Sequence, residues 1–415
     1  MSQNNMYICA VTILMIWMFT MNYAIASDSE NRKVEGVFYL DGSQVTVEIV
    51  DGKIDRIIRN EKSTTAGDKK VFIAPGFIDN QVNGYLSHSF VRDGLTVDQV
   101  RLITKAFWSK GITTYVPTLT TGSAAQLRTN FKIMHEAIQD PEIALSVPGF
   151  HLEGPYISPV EGYRGAHNEE WVRPPDWQEF MDLYRASGNH IIEVTVAPEM
   201  EGALSFIEKL RKMDIVVALG HHNGSAEQIQ AAIDAGASIA THLGNGCANS
   251  IHRHNNPLWP QLADDRLTAS LIVDGFHLTR DEVQVFYKVK GPDRTILISD
   301  LSSLAGMPPG EYERFGSTVV VHPNGMISLP SQNVLAAASF LITSGVENVM
   351  RFTGCTLGDA VHMASRNTAR LLNLRDRGEI RVGMRADLVL FTLQDGHINI
   401  RNTFVAGKEV YRAAD

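Results

Sequence analysis

The chain has 415 residues, 44% hydrophobic and 20% charged, the balance of a water-soluble protein with room for one large domain and a small one. With 37 Lys and Arg against 46 Asp and Glu, its net charge of −9 offers no basic face to a nucleic acid. A phosphorylated small molecule is not excluded, because one arginine and a few backbone N–H groups suffice to hold it.

Taken in chain order, the first feature is an apolar run from Tyr7 to Ala26 ending in Ala24-Ile25-Ala26. That small-x-small ending predicts a signal peptide over 1–26, with Ser27 as the first mature residue and an exported protein. No Lys or Arg precedes the run, and about 20 apolar residues could also stay in a bilayer as an anchor. A start site placed too far upstream would instead leave the protein cytoplasmic. Residues 27–74 follow as short strands: VEGVFYL, QVTVEIV and KIDRIIR, separated by the Asp41-Gly42 and Asp51-Gly52 turns. The other end, 378–415, has the same character in LVLFT, INIRNTFV and KEVYR. One small β-sandwich domain built from both chain ends is expected. Of three cysteines, Cys9 lies in the apolar run, and Cys247 with Cys355 makes no disulfide framework.

Between them, from Pro75 to about residue 377, short apolar runs recur: TTYVPT, SVPGFHLEG, IEVTVAP, IVVALGHH, ASIATHLG, TASLIVDG and RTILISD. Amphipathic segments such as VDQVRLITKAFWSK, AEQIQAAIDAG and DEVQVFYKVKG separate them. Buried strands alternating with helices predict an α/β fold, a (β/α)₈ barrel of the TIM type.

Nearly every run ends in polar residues, and a barrel enzyme gathers its chemistry at the C-terminal ends of its strands. Glu153, His221 and His242 are the candidate metal ligands, since two histidines and a carboxylate form a known catalytic zinc set with a position open for water. His222 and His151 neighbour them and are read as supporting or lining residues. Asp300 ends the run TILIS, where a carboxylate needs a partner. It is read either as the general base that takes a proton from water or as a helix N-cap before Leu301. His277, in Asp-Gly-Phe-His, is placed to polarise a substrate carbonyl or to sit on the rim.

The ordered set of motifs resembles the N-acetylglucosamine-6-phosphate deacetylases of the amidohydrolase superfamily, from about residue 34 to the C-terminus. Pro75-Gly76-Phe77-Ile78-Asp79 with Gln81-Val82-Asn83-Gly84 resembles their opening barrel motif, and His151-Leu152-Glu153-Gly154-Pro155 with Arg164-Gly165-Ala166-His167-Asn168 their ligand-bearing loop. Ala197-Pro198-Glu199, Gly220-His221, Thr241-His242-Leu243-x-Asn245, Asp274-Gly275-x-His277 and Ser299-Asp300 follow in family order. The resemblance implies a barrel hydrolase, usually dimeric, that cuts the acetamide of an amino sugar phosphate. Metal would sit at Glu153, His221 and His242, and Asp300 would transfer the proton. Substrate contacts would fall on Ala166, His167, Asn245, Gly246, Arg253 and His277, with a looser match at Leu329-Pro330-Ser331. Where many amidohydrolases have His-x-His and two metals, this chain has Gln81-x-Asn83, poor ligands that predict one divalent ion per chain, zinc by its donor set. The stretch from Asn249 to Pro260 departs from the family's glycine-rich one, and export is unusual for a substrate made in the cytoplasm. An unphosphorylated N-acetyl sugar, an N-acyl amino acid or a dipeptide are the alternative substrates. A binding protein with a decayed site is the non-enzymatic one.

Overall fold

The computed structural model describes residues 31–60, 70–314, 317–331 and 334–414, so the expected signal segment over 1–26 lies outside the described residues. Eight strands, numbered here β1 to β8, form one sheet whose neighbours follow chain order. They are Phe77–Val82, Ile112–Thr120, Phe150–Glu153, Ile191–Val196, Val216–Leu219, Ile239–Ala240, Thr268–Leu271 and Thr295–Leu297. Every neighbouring pair is parallel. The barrel closes where the chain beyond β8 meets the end of β1, through the Val82–Leu301 bridge and a 2.8 Å bond from the Asn83 N–H to the Leu301 carbonyl. These strands correspond to the apolar runs of the sequence, buried on both faces as a helix-wrapped parallel sheet requires.

The helices begin where the sequence supplies their caps. Thr96 with Gln99 opens Val97–Trp108, Ser225 with Gln228 opens Ala226–Asp234, and Thr279 with Glu282 opens Arg280–Lys290. Their buried residues, such as Ile103, Phe107, Ile229 and Phe286, recur at helical spacing and pack into the main core. Among the described residues no helix is long and apolar enough to cross a membrane.

The two halves of the expected sandwich are hydrogen-bonded edge to edge into one continuous seven-stranded sheet. Leu388–Gln394 pairs with Val71–Pro75, which pairs in turn with Arg32–Phe38. Its hairpins turn at Asp51-Gly52, Asp395-Gly396 and Ala406-Gly407, each with positive φ at both residues, the conformation that suits the twist of two-residue hairpins. A second excursion was not anticipated. Between β8 and the helix Ile342–Thr353, the strands Gly310–Arg314, Ser317–Val321, Ile327–Leu329 and Val334–Ala337 form an antiparallel sheet. It has a small core of its own around Val319, Val321, Ile327 and Leu329, and it helps wall the cavity at the C-terminal end of the barrel.

Candidate active site

Glu153 is the last residue of β3, and His221 and His242 each lie two residues past the ends of β5 and β6. Adjacency in the closed sheet therefore brings together residues far apart in sequence. Glu153 Oε1 lies 3.3 Å from His221 Nε2 and 3.2 Å from His242 Nε2, and the two Nε2 atoms are 3.0 Å apart. Among the described residues this is the one group of three such donors close enough to share an ion. The donor chemistry fits a divalent cation. His221 Nδ1 donates to the Tyr163 carbonyl at 3.1 Å, which leaves the Nε2 lone pair aimed inward, at another imidazole nitrogen. Two such nitrogens facing each other beside a carboxylate call for a positive centre. Burial alone would raise the Glu153 carboxyl, but the His221 and His242 contacts outweigh it and hold the group well below the usual range.

The backbone here is under tension. His221, His242 and Asp300 adopt φ of 50°, 30° and 49°, the left-handed region that side chains other than glycine rarely enter. Two glycines allow the surrounding loops to close on these residues. A Cβ on Gly165 would stand 3.1 Å from His221 Cε1, and one on Gly246 would stand 3.0 Å from His242 Cε1 and 3.1 Å from His221 Nδ1.

Asp300 lines the same cavity and opens no helix: the residue after it forms the Leu301 bridges, so the N-cap reading fails. Its Oδ1 accepts from Asn83 Nδ2 at 2.7 Å and from Gln81 Nε2 at 3.2 Å, while Gln81 Nε2 also donates to Glu153 Oε1 at 2.8 Å. Burial, then the Glu153 carboxylate, pushes the Asp300 carboxyl upward, toward the range of a proton carrier. His277 Nδ1 donates to Asp274 Oδ2 at 2.7 Å, and Asp274 Oδ1 accepts the Phe276 and His277 N–H groups, which fixes the ring orientation with no hydrogen bond to Nε2 among the described residues.

The cavity these residues share has a volume of about 1320 Å³. Of the contacts implied by the resemblance, Ala166, His167, Asn245, Gly246, His277, Leu329 and Pro330 lie on its wall. His167 Nδ1 meets Thr121 Oγ1 at 2.7 Å, and burial, then His221, lowers its pKa to about 3, so the ring is neutral. Ser331 is exposed and off the wall. Arg253 is also exposed and off this chain's wall; its carbonyl accepts from Trp259 Nε1 at 2.9 Å, which holds the loop in its own turn. His151 sits deeper in the barrel, bonded to Thr195 Oγ1 at 2.8 Å and 3.8 Å from Glu193 Oε1. His222 faces away from the cavity, and Glu199 Oε1 caps the next turn at the Asn223 N–H. Sequence reasoning missed Leu335, Ala336, Ala337 and the His322–Ser328 pair, which line the cavity from the antiparallel sheet. The small-residue run after Leu335 is the only trace of them in the sequence.

Residues 72–410 match the model of the amidohydrolase family. The chain belongs to that family. Among curated relatives of this amidohydrolase, an N-acetylglucosamine-6-phosphate deacetylase from Lysinibacillus sphaericus is 30% identical over 379 residues, 88% of this chain and 93% of its own. An N-acetylgalactosamine-6-phosphate deacetylase from Escherichia coli O157:H7 is 30% identical over 371 residues, 89% of this chain and 95% of its own. The crystal structure of the N-acetylglucosamine-6-phosphate deacetylase from Thermotoga maritima superposes with a TM-score of 0.81 at 30% identity, covering 92% of this amidohydrolase and all of that chain.

Proposed function

We propose that this amidohydrolase removes the acetyl group of an N-acetylated amino sugar 6-phosphate, N-acetylglucosamine 6-phosphate first, giving glucosamine 6-phosphate and acetate. The observation that carries this reading is the trio Glu153, His221 and His242 sharing one cavity with Asp300, in a chain similar over most of its length to deacetylases of that kind. Glu153, His221 and His242 would hold one divalent ion, zinc by the donor set, which when bound acidifies water and polarises a carbonyl. Asp300 takes a proton from water as the water oxygen bonds to the acetamide carbon. It returns that proton to the nitrogen as the C–N bond breaks, so water supplies hydroxyl to the acyl group and hydrogen to the amine. His277, oriented by Asp274, presents Nε2 to a substrate oxygen.

A specific observation favours a second reading, an unphosphorylated N-acetyl sugar. Arg164 is the one Lys or Arg on the described wall, and it is already engaged by Glu169 at 3.1 Å and the Pro159 carbonyl at 2.7 Å. Acetate release should be measured on N-acetylglucosamine, N-acetylgalactosamine and their 6-phosphates, with Asp300→Asn as control. That variant should lose roughly 10²–10⁴-fold in kcat with its metal retained. Turnover only of the free sugars would favour the second reading, and turnover of neither would remove both. We further infer export by the 1–26 segment and a homodimer. Ser27 at the mature N-terminus and a dimeric mass by light scattering are the respective checks.

A further inference from the structure

The reaction needs Asp300 to receive a proton and release it to a different atom, so it matters which carboxylate oxygen is free to do so. Oδ1 is taken twice, by Asn83 Nδ2 at 2.7 Å and Gln81 Nε2 at 3.2 Å. No hydrogen bond is made to Oδ2 among the described residues, and Asp300 lines the cavity. The two amides are themselves fixed by the closure of the barrel. The Asn83 N–H donates to the Leu301 carbonyl at 2.8 Å, and the Asn83 carbonyl accepts from Phe90 N at 3.0 Å. The Ser299 hydroxyl reaches the Gln81 carbonyl at 3.5 Å, and the Ser299 N–H donates to Asp79 Oδ1 at 3.1 Å. Gln81 is 2% and Asn83 7% exposed, too confined to swing away. The segment carrying Asp300 and the strand carrying its two donors are thus the edges of one seam.

We propose that Gln81 and Asn83 are positioning residues that clamp Asp300 by Oδ1, so that Oδ2 alone takes the proton from water and delivers it to the leaving nitrogen. This rests on Asp300 being the proton carrier of the proposed deacetylation. Oδ1 already accepts two amide N–H groups, which makes it the less basic oxygen and fixes the plane of the carboxylate. Gln81 has a second duty. One NH₂ group spans Glu153 Oε1 and Asp300 Oδ1, spacing two carboxylates that would otherwise repel.

Asn83→Leu keeps the side-chain bulk and removes the donor. In the metal-loaded protein kcat should fall roughly 10- to 100-fold, the scale of a misplaced catalytic group, with KM within about twofold and metal content unchanged. Asn83→Ala is the second variant should the first fail to fold, with the same split expected. The deciding measurement repeats each substitution in an Asp300→Asn background, where residual turnover should change by less than about twofold, since the clamp has no proton carrier left to hold. A raised KM at unchanged kcat, or the same loss in both backgrounds, would overturn the clamp. Full activity of Asp300→Asn alone would overturn the deacetylation mechanism on which it rests.

Discussion

Replacing Gly246 by alanine should weaken metal binding as well as the fold, and the two losses can be read apart. The added methyl would stand 3.0 Å from His242 Cε1 and 3.1 Å from His221 Nδ1, against an ordinary carbon contact of about 3.5 Å or more. Both rings must then retreat by several tenths of an ångström, while metal–ligand distances tolerate about 0.2 Å. Affinity should fall roughly 10- to 100-fold, as when the groups orienting a ligand are lost. The backbone adds its own cost, about 1–2 kcal/mol for a side chain held at φ +61°. Gly42 separates the two effects, because its φ is +71° and nothing lies within 4 Å of its would-be Cβ. Gly42→Ala should therefore lose the same stability and none of the metal affinity. Competition against a chromophoric chelator reads the first quantity and urea unfolding of the metal-free protein the second. Gly246→Ala binding metal within about twofold of the unaltered protein would refute the argument that this glycine exists to admit the two rings.

Three further outcomes are expected. Metal analysis of the reconstituted protein should find close to one ion per chain, and His242→Ala or Glu153→Ala should abolish it; two tightly held ions would contradict the amide pair at Gln81 and Asn83. Burial pushes the Asp79 carboxyl up to about 7, above its value of about 3.9 in an unfolded chain, so the folded state binds the extra proton and stability should fall as pH rises between those values. Asp79→Asn should flatten that part of the urea-midpoint profile, and an unchanged slope would refute it. Asp274→Ala should raise KM with little loss of metal, since it frees the His277 ring to turn; an unaltered KM would show that His277 does not meet substrate.

The barrel was legible because its strands are apolar runs and amphipathic segments alternate with them, signals that survive without any tertiary information. The convergence of Glu153, His221 and His242 was legible for the same reason, each lying at or just past the end of a strand whose place in the sheet the fold class dictates. What was hidden depends on side-chain direction and on distant partners. His151 shares a strand face with Glu153 yet points to Thr195, deeper in the barrel. Gln81 and Asn83 read as absent ligands, whereas their geometry makes them donors to two carboxylates. The antiparallel sheet over 310–337 escaped notice because its strands, three to five residues long like several barrel strands, have no amphipathic helical segments between them to mark a repeating unit. The wall residues Leu335, Ala336 and Ala337 were hidden with it, beside Leu329 and Pro330 of the looser match, which line the same cavity.

The seven-stranded sheet has a bearing on the order in which this chain can assemble. Val71–Pro75 finds Arg32–Phe38 on one side early, but its other neighbour, Leu388–Gln394, lies more than 300 residues further along. The outermost strand, Lys408–Arg412, supplies Glu409 to Arg32 at 3.1 Å, joining the two chain ends. A growing polypeptide therefore carries a half-built sheet with a bare edge throughout synthesis of the barrel, and such long-range pairing is slow to form. Leu388–Gln394 thus acts as the latch that completes the sheet, long after Val71–Pro75 has been made.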